Sequence, residues 1–169
     1  DGYCGPERAG LKDDALINLP SGEVCQAPYE GERAETPSMT SGQIPIYEKE
    51  TLSILQIEKN KIVDVEGSAE LKKYFMEEPG RCNIAEFGMG VNDRAIVRGN
   101  ELEDEKAGFH FAYGRSDSIG GCSGVEIFSN IDRACHNDVV YSKNACVSVK
   151  NIWLLSQTGD HQIFKDTAV

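Results

Sequence analysis

Positive charge is in short supply in this chain: 17 Lys and Arg stand against 28 Asp and Glu, a formal net charge of −11 over 169 residues. Proteins bind phosphate backbones by neutralising them with Lys and Arg, so this balance argues against a nucleic-acid partner. Long apolar runs are also missing, which argues against a transmembrane helix and against a membrane partner. The opening Asp1-Gly2-Tyr3-Cys4-Gly5 has neither the basic nor the apolar segment of a signal peptide, and no initiator Met. A piece trimmed or excised from a longer protein is therefore expected.

Cysteine is sparse and unpaired in spacing. The six residues Cys4, Cys25, Cys82, Cys122, Cys135 and Cys146 fall well short of the ~8–10% that marks a disulfide scaffold. No Cys-x-x-Cys pair exists, which rules out a zinc ribbon or a thioredoxin motif. Free, mostly buried thiols in a reducing, cytoplasmic compartment are expected. Other signatures are missing too. Ser21 lies in Pro-Ser-Gly-Glu rather than Gly-x-Ser-x-Gly, and Gly120-Gly121-Cys122-Ser123-Gly124 lacks dinucleotide-loop spacing. There is no internal repeat and no low-complexity tract.

What remains is 40% hydrophobic and 27% charged, the composition of a soluble globular chain long enough for one domain. Strand patterns predominate. Ile44–Tyr47, Leu52–Ile57 and Ile62–Val65 read as strands, with Asn60 suited to the left-handed position of the turn between the last two. Ser68 can cap a helix whose Leu71, Tyr74 and Phe75 share one face before Pro79-Gly80 stops it. A shorter helix is expected from Asn100, with Glu103 as capping-box partner. Further strands are expected over 83–89, 95–97, 109–113, 139–141, 145–149 and 152–155. The expected class is α+β: a β-rich domain with one or two short helices.

Histidine is scarce, so position carries information. In Phe109-His110-Phe111-Ala112-Tyr113, alternation puts the three aromatics on one face of a strand and His110 with Ala112 on the other. A structural, hydrogen-bonded His110 is the plain alternative to a ligand. His136-Asn137-Asp138 places an imidazole and a carboxylate on one face of an extended segment, a mixed donor set suited to zinc, iron, cobalt or manganese. His161 reads as a surface residue in a turn. Glu23 follows a tight turn just before Val24-Cys25. Glu86 lies within the apolar run Ile84–Met89, where it needs a metal or a partner such as Arg81 or Arg94. The run Glu101, Glu103, Asp104, Glu105, Lys106 reads as a solvated helix face, without the spacing of a calcium loop.

Several blocks together resemble the metallo-aminopeptidase family typified by aminopeptidase T and aminopeptidase S. They are Asn18-Leu19-Pro20-Ser21-Gly22-Glu23-Val24 with Ala27-Pro28, Ala85-Glu86-Phe87-Gly88-Met89-Gly90-Val91-Asn92, and Gly99–Lys106 leading to His110-Phe111-Ala112-Tyr113-Gly114. Gly120-Gly121 and His136-Asn137-Asp138-Val139-Val140 complete them. Their order and spacing hold from about Gly10 to Val149. The resemblance implies a centre of one or two divalent ions (zinc, cobalt or manganese) on Glu23, Glu86, His110, His136 and Asp138. Glu23 and Glu86 would also serve catalysis, which would be removal of N-terminal residues from peptides by metal-activated water.

Two positions depart from the family pattern. Gly22 stands where the aminopeptidases carry a leading Glu, and Asp117 stands where they carry a Tyr. A second branch, the dihydroxypyridine dioxygenases, implies instead one iron on His110, His136 and Asp138, with a small-molecule substrate. A non-catalytic binding relative of the same fold is a third expectation. The resemblance further implies a missing N-terminal domain, with residues 1–17 as its leader or linker and residues 18–169 as the metal-binding domain, and a homodimer in the full-length protein.

Overall fold

The structure, a computed structural model, describes residues 22–142 and 144–165. The expected leader over 1–17 and the turn at Asn18–Ser21 lie outside these residues. Three strands, β2 (Gly42–Glu48), β3 (Thr51–Glu58) and β4 (Lys61–Glu66), form an antiparallel meander. Its two hairpins turn through two residues each, Lys49-Glu50 and Lys59-Asn60, all four at positive φ. Such primed turns match the twist of the flanking strands, and Asn tolerates the conformation best among non-glycine residues.

Asn60 also joins the meander to the rest of the molecule. Its fully buried side chain donates from Nδ2 to the Ile84 carbonyl at 2.8 Å, and its own carbonyl accepts from the Ile84 N–H at 3.1 Å. Ile84 opens β5 (Ile84–Gly90), the strand that carries Glu86.

Helix α1 (Ala69–Met76) starts where expected. The Ser68 side chain accepts the Leu71 N–H at 3.2 Å, and Pro79 begins a 3₁₀ turn after the helix ends. The buried Phe75 ring packs edge-on against Tyr113 at 4.9 Å between centroids, seating the helix on the second sheet.

That second sheet has four antiparallel strands in the order β1 (Glu23–Gln26), β5, β6 (Phe109–Gly114), β7 (His136–Tyr141). Directly paired residues share a face, so the register sorts the side chains. One face carries Phe111, Tyr113, Val139 and Tyr141 and packs on the meander and α1, forming the core with Ile46, Leu55, Ile57, Ile62, Val65 and Phe75. The opposite face holds Glu23 and Cys25 of β1, Glu86 and Gly88 of β5, His110 and Ala112 of β6, and His136 and Asp138 of β7. The expected split of Phe109-His110-Phe111-Ala112-Tyr113 between two faces is what the sheet shows.

The β-rich α+β character is present, with corrections in detail. Residues 95–97 are not a strand. Asn92 turns the chain by accepting the Arg94 N–H at 3.0 Å, and the Asp104 carboxylate takes the N–H groups of Arg98 and Gly99, so this backbone is satisfied by side chains. Residues 145–149 are irregular as well, although Val147 and Val149 still pack against the core. The helix expected from Asn100 is one turn, α2 (Glu101–Asp104). A strand that periodicity misses, β9 (His161–Lys165), pairs with β8 (Asn151–Leu154) as a separate, largely exposed hairpin. His161 begins that strand and is exposed, in keeping with a surface role. Among the described residues, no helix is long and apolar enough to cross a membrane.

The five described cysteines are free. Only Cys25 is buried, however, while Cys82 and Cys135 are half-buried and Cys122 and Cys146 are exposed.

Candidate metal centre

All five residues expected as ligands meet on the face of the four-stranded sheet turned away from the core, and Glu23, Glu86 and His110 are themselves buried there. Glu86 is the hinge of the arrangement. Its carboxylate lies 3.3 Å from His110 Nε2 through one oxygen and 3.0 Å from His136 Nε2 through the other. The expected partners Arg81 and Arg94 do not pair with it: Arg81 donates instead to the Tyr74 carbonyl and lies over that ring. His110, fully buried, is both structural and available, since its Nε2 points into the centre.

Each imidazole is oriented from behind. His136 donates Nδ1–H to the Arg115 carbonyl at 2.5 Å, and His110 Nδ1 faces the Gly108 carbonyl at 3.3 Å. A proton held at Nδ1 leaves Nε2 to ligate, the usual second layer of a metal site. The same Arg115 grips Asp117 through two hydrogen bonds at 2.8 and 3.0 Å, so that carboxylate is committed to an exposed ion pair.

The donors fall into two groups, each with ligand atoms within 4.8 Å of one another: Glu23, Glu105 and His110, and Glu86, His136 and Asp138. Glu105 corrects the sequence reading. It is buried, at 6% exposure, instead of belonging to a solvated helix face. Asp104 folds back to cap the loop at Arg98 and Gly99. The Gly90 N–H donates to the Gly108 carbonyl and the Asn92 N–H to the Lys106 carbonyl. These bonds press the turn at Glu105–Ala107 against the end of β5 and turn Glu105 inward. The available signal is the pair Asp104-Glu105 standing just ahead of His110, hidden among charges of the same sign.

Small residues make the space. At Gly88, opposite His110 in the register, an added Cβ would overlap the His110 ring. At Gly22, which sits at a φ of +116°, an added Cβ would press on Asn92 Cβ at 2.7 Å. The residues therefore fit divalent ions on three counts: mixed imidazole and carboxylate donors, three per group, and glycine where the ring must pass. A third acidic group, Glu30 with Glu32 and Cys122, is different. Glu30 spends its oxygens on Asn83 Nδ2, Ser116 Oγ and the Cys122 N–H, a clasp between loops.

Burial disfavours charge on Glu86, but hydrogen bonds from His110 and His136 outweigh it and hold the carboxyl far below its ordinary range. Burial likewise opposes charge on His136, yet the bond to Glu86 prevails and raises it from 6.5 to about 9; His110 is raised for the same reason. Burial and the nearby charge of Glu105 push Glu23 up.

A raised histidine contributes stability that is complete below its unfolded value of 6.5 and is lost as pH climbs through about 9. The lowered Glu86 contributes stability that is present above its unfolded value of 4.5 and is lost in acid below it. With a chelator present, this cluster should favour the fold most between pH 4.5 and 6.5 and lose up to about 3 kcal/mol by pH 9. With excess zinc, melting temperature should rise over the interval from 6.5 to 9, because ligation needs neutral imidazole. Thermal melts in the two conditions measure both slopes, and parallel slopes would refute the assignment.

A comparison with protein-family models finds no match to this chain, and a comparison with curated proteins finds none either.

Proposed function

We propose that this chain carries a two-ion metal centre and uses it to hydrolyse the N-terminal peptide bond of peptides. The observation that supports the reading is the position of Glu86 between two imidazoles, where it joins two three-donor groups on one sheet face. Divalent ions, when bound, supply an acidified water and polarise a carbonyl.

The chain's own residues do the rest. Glu86 stays ionised between the groups, and the backbone carbonyls of Gly108 and Arg115 fix the two imidazoles. Gly88 leaves the room that the His110 ring fills. Glu23, pushed up by burial and by Glu105, is a better proton acceptor than the strongly acidic Glu86.

A single iron on His110, His136 and Asp138 is the second reading. It is less favoured because the two imidazoles fall in different donor groups, with Glu86 between them. The test is metal content together with hydrolysis of aminoacyl-chromophore substrates. We expect two zinc, cobalt or manganese ions per chain and turnover that a chelator abolishes. One iron per chain with oxygen uptake would favour the dioxygenase reading. Metal-replete protein without turnover on any aminoacyl substrate would overturn the peptidase reading.

A further inference from the structure

Cys25 shares the sheet face of the donors without having been expected among them. It follows Glu23 by two residues on β1, so the two side chains lie on one face. Cys25 stands directly opposite Gly88 in the register, and Gly88 in turn stands opposite His110. Where a Cβ on Gly88 would be, the His110 ring passes. The cysteine is buried, at 6% exposure, and its thiol donates a hydrogen bond to the Glu86 carboxylate. At least three side chains thus converge on that carboxylate: His110, His136 and Cys25. The three are not equivalent once ions bind. An imidazole nitrogen that ligates carries no proton, so neither Nε2 can then donate to Glu86. The S–H bond is spared that exchange. A thiol is a weak donor in water, but a fully charged acceptor and burial both strengthen the bond.

We infer that Cys25 is a positioning residue of the centre, whose S–H holds Glu86 in place after both imidazoles have turned to the ions. The inference rests on the two-ion reading above and adds to it the residue that orients Glu86 in the loaded centre. It also places the thiol behind a ligand and not among the ligands. Among the described residues, neither three-donor group includes Cys25, whereas Glu86 belongs to one group and touches the other. Partners that hold a ligand from behind matter: their loss costs about ten- to a hundredfold in metal affinity. A buried cysteine that only fills space behaves differently. It acts as a small apolar group, so a hydroxyl in its place is worse tolerated than a hydrocarbon. The two roles therefore rank the same substitutions in opposite order.

The test is calorimetric titration of chelator-stripped chains with zinc, joined to the absorption spectrum of the cobalt-loaded chain. Cys25→Ser keeps a donor of similar size and should bind zinc within about threefold of the native chain. Cys25→Val keeps apolar bulk and removes the donor; it should loosen at least one zinc step by about tenfold or more. Cys25→Ala should match Cys25→Val, and it carries the comparison alone if circular dichroism shows the Val variant unfolded. The cobalt-loaded native chain should lack the near-ultraviolet charge-transfer band of a cobalt–thiolate bond. Such a band in the native chain, lost in Cys25→Ser, would overturn the inference by making the thiol a ligand. Cys25→Val and Cys25→Ala binding zinc as tightly as the native chain, or Cys25→Ser binding as weakly as they do, would overturn it by leaving the thiol no role as a donor. Each of these results leaves two-ion binding intact. A native chain that binds neither zinc nor cobalt would overturn the two-ion reading and this inference together.

Discussion

Replacing Glu86 with Ala should strip both ions from the centre and lower turnover on aminoacyl substrates by at least about a thousandfold. Glu86 belongs to one donor group and touches the other, with one oxygen toward His136 of its own group and one toward His110 of the other. Its loss should also weaken the ion-free chain. His136, raised to about 9 mainly by that carboxylate against the penalty of burial, would face the interior with its principal counter-charge gone. Breaking a buried pair from one side costs about 3–5 kcal/mol, far more than a surface substitution. Melting curves in chelator, metal analysis and turnover measure the three effects separately. Glu86→Gln keeps the shape and should fold better than Glu86→Ala while binding the ions as poorly. If Glu86→Ala still held two ions, Glu86 would not be what joins the two groups.

The second large effect is expected at a residue with no functional group. Gly88→Ala adds one methyl where the His110 ring crosses β5, and the ring has nowhere to go. His110 is fully buried, and its Nδ1 faces the Gly108 carbonyl on its own turn. Either the imidazole swings out of the centre or β5 and β6 part locally. The overpacking alone costs about 1–3 kcal/mol. The functional loss should be larger, about a hundredfold or more in turnover, because displacement of about an ångström at a reacting centre has that effect. The ion held with Glu23 and Glu105 should be lost, and the one held with His136 and Asp138 kept. One ion per chain in Gly88→Ala is therefore the discriminating result; two would mean that His110 does not ligate.

Much of this arrangement is legible in the chain itself. Alternation in Phe109–Tyr113 separates the buried aromatics from His110, because a strand has only two faces. His136 and Asp138 share a face for the same reason. Ser68 and Asn60 announce a helix start and a turn through side-chain chemistry that acts within a few residues. Glu105 is hidden because its burial comes from long-range packing: Asp104 reaches back to Arg98 and Gly99, and the turn is laid on the end of β5. Neither contact has a local pattern. Ile96 and Val97 show the converse. Their β-branched side chains read as a strand, yet among the described residues no strand pairs with them and both remain exposed. Propensity without a partner makes no sheet.

The alternation in β6 has a further consequence for how the centre comes into being. A slip of one residue against β5 would turn Phe109, Phe111 and Tyr113 toward the donors and His110 into the core. Every shifted pairing therefore destroys the hydrophobic packing and the centre at once. The donors should accordingly assemble in an all-or-none manner with the body of the sheet. Amide protons along β5 and β6 should exchange only through global opening, and a bound ion should slow all of them to the same degree.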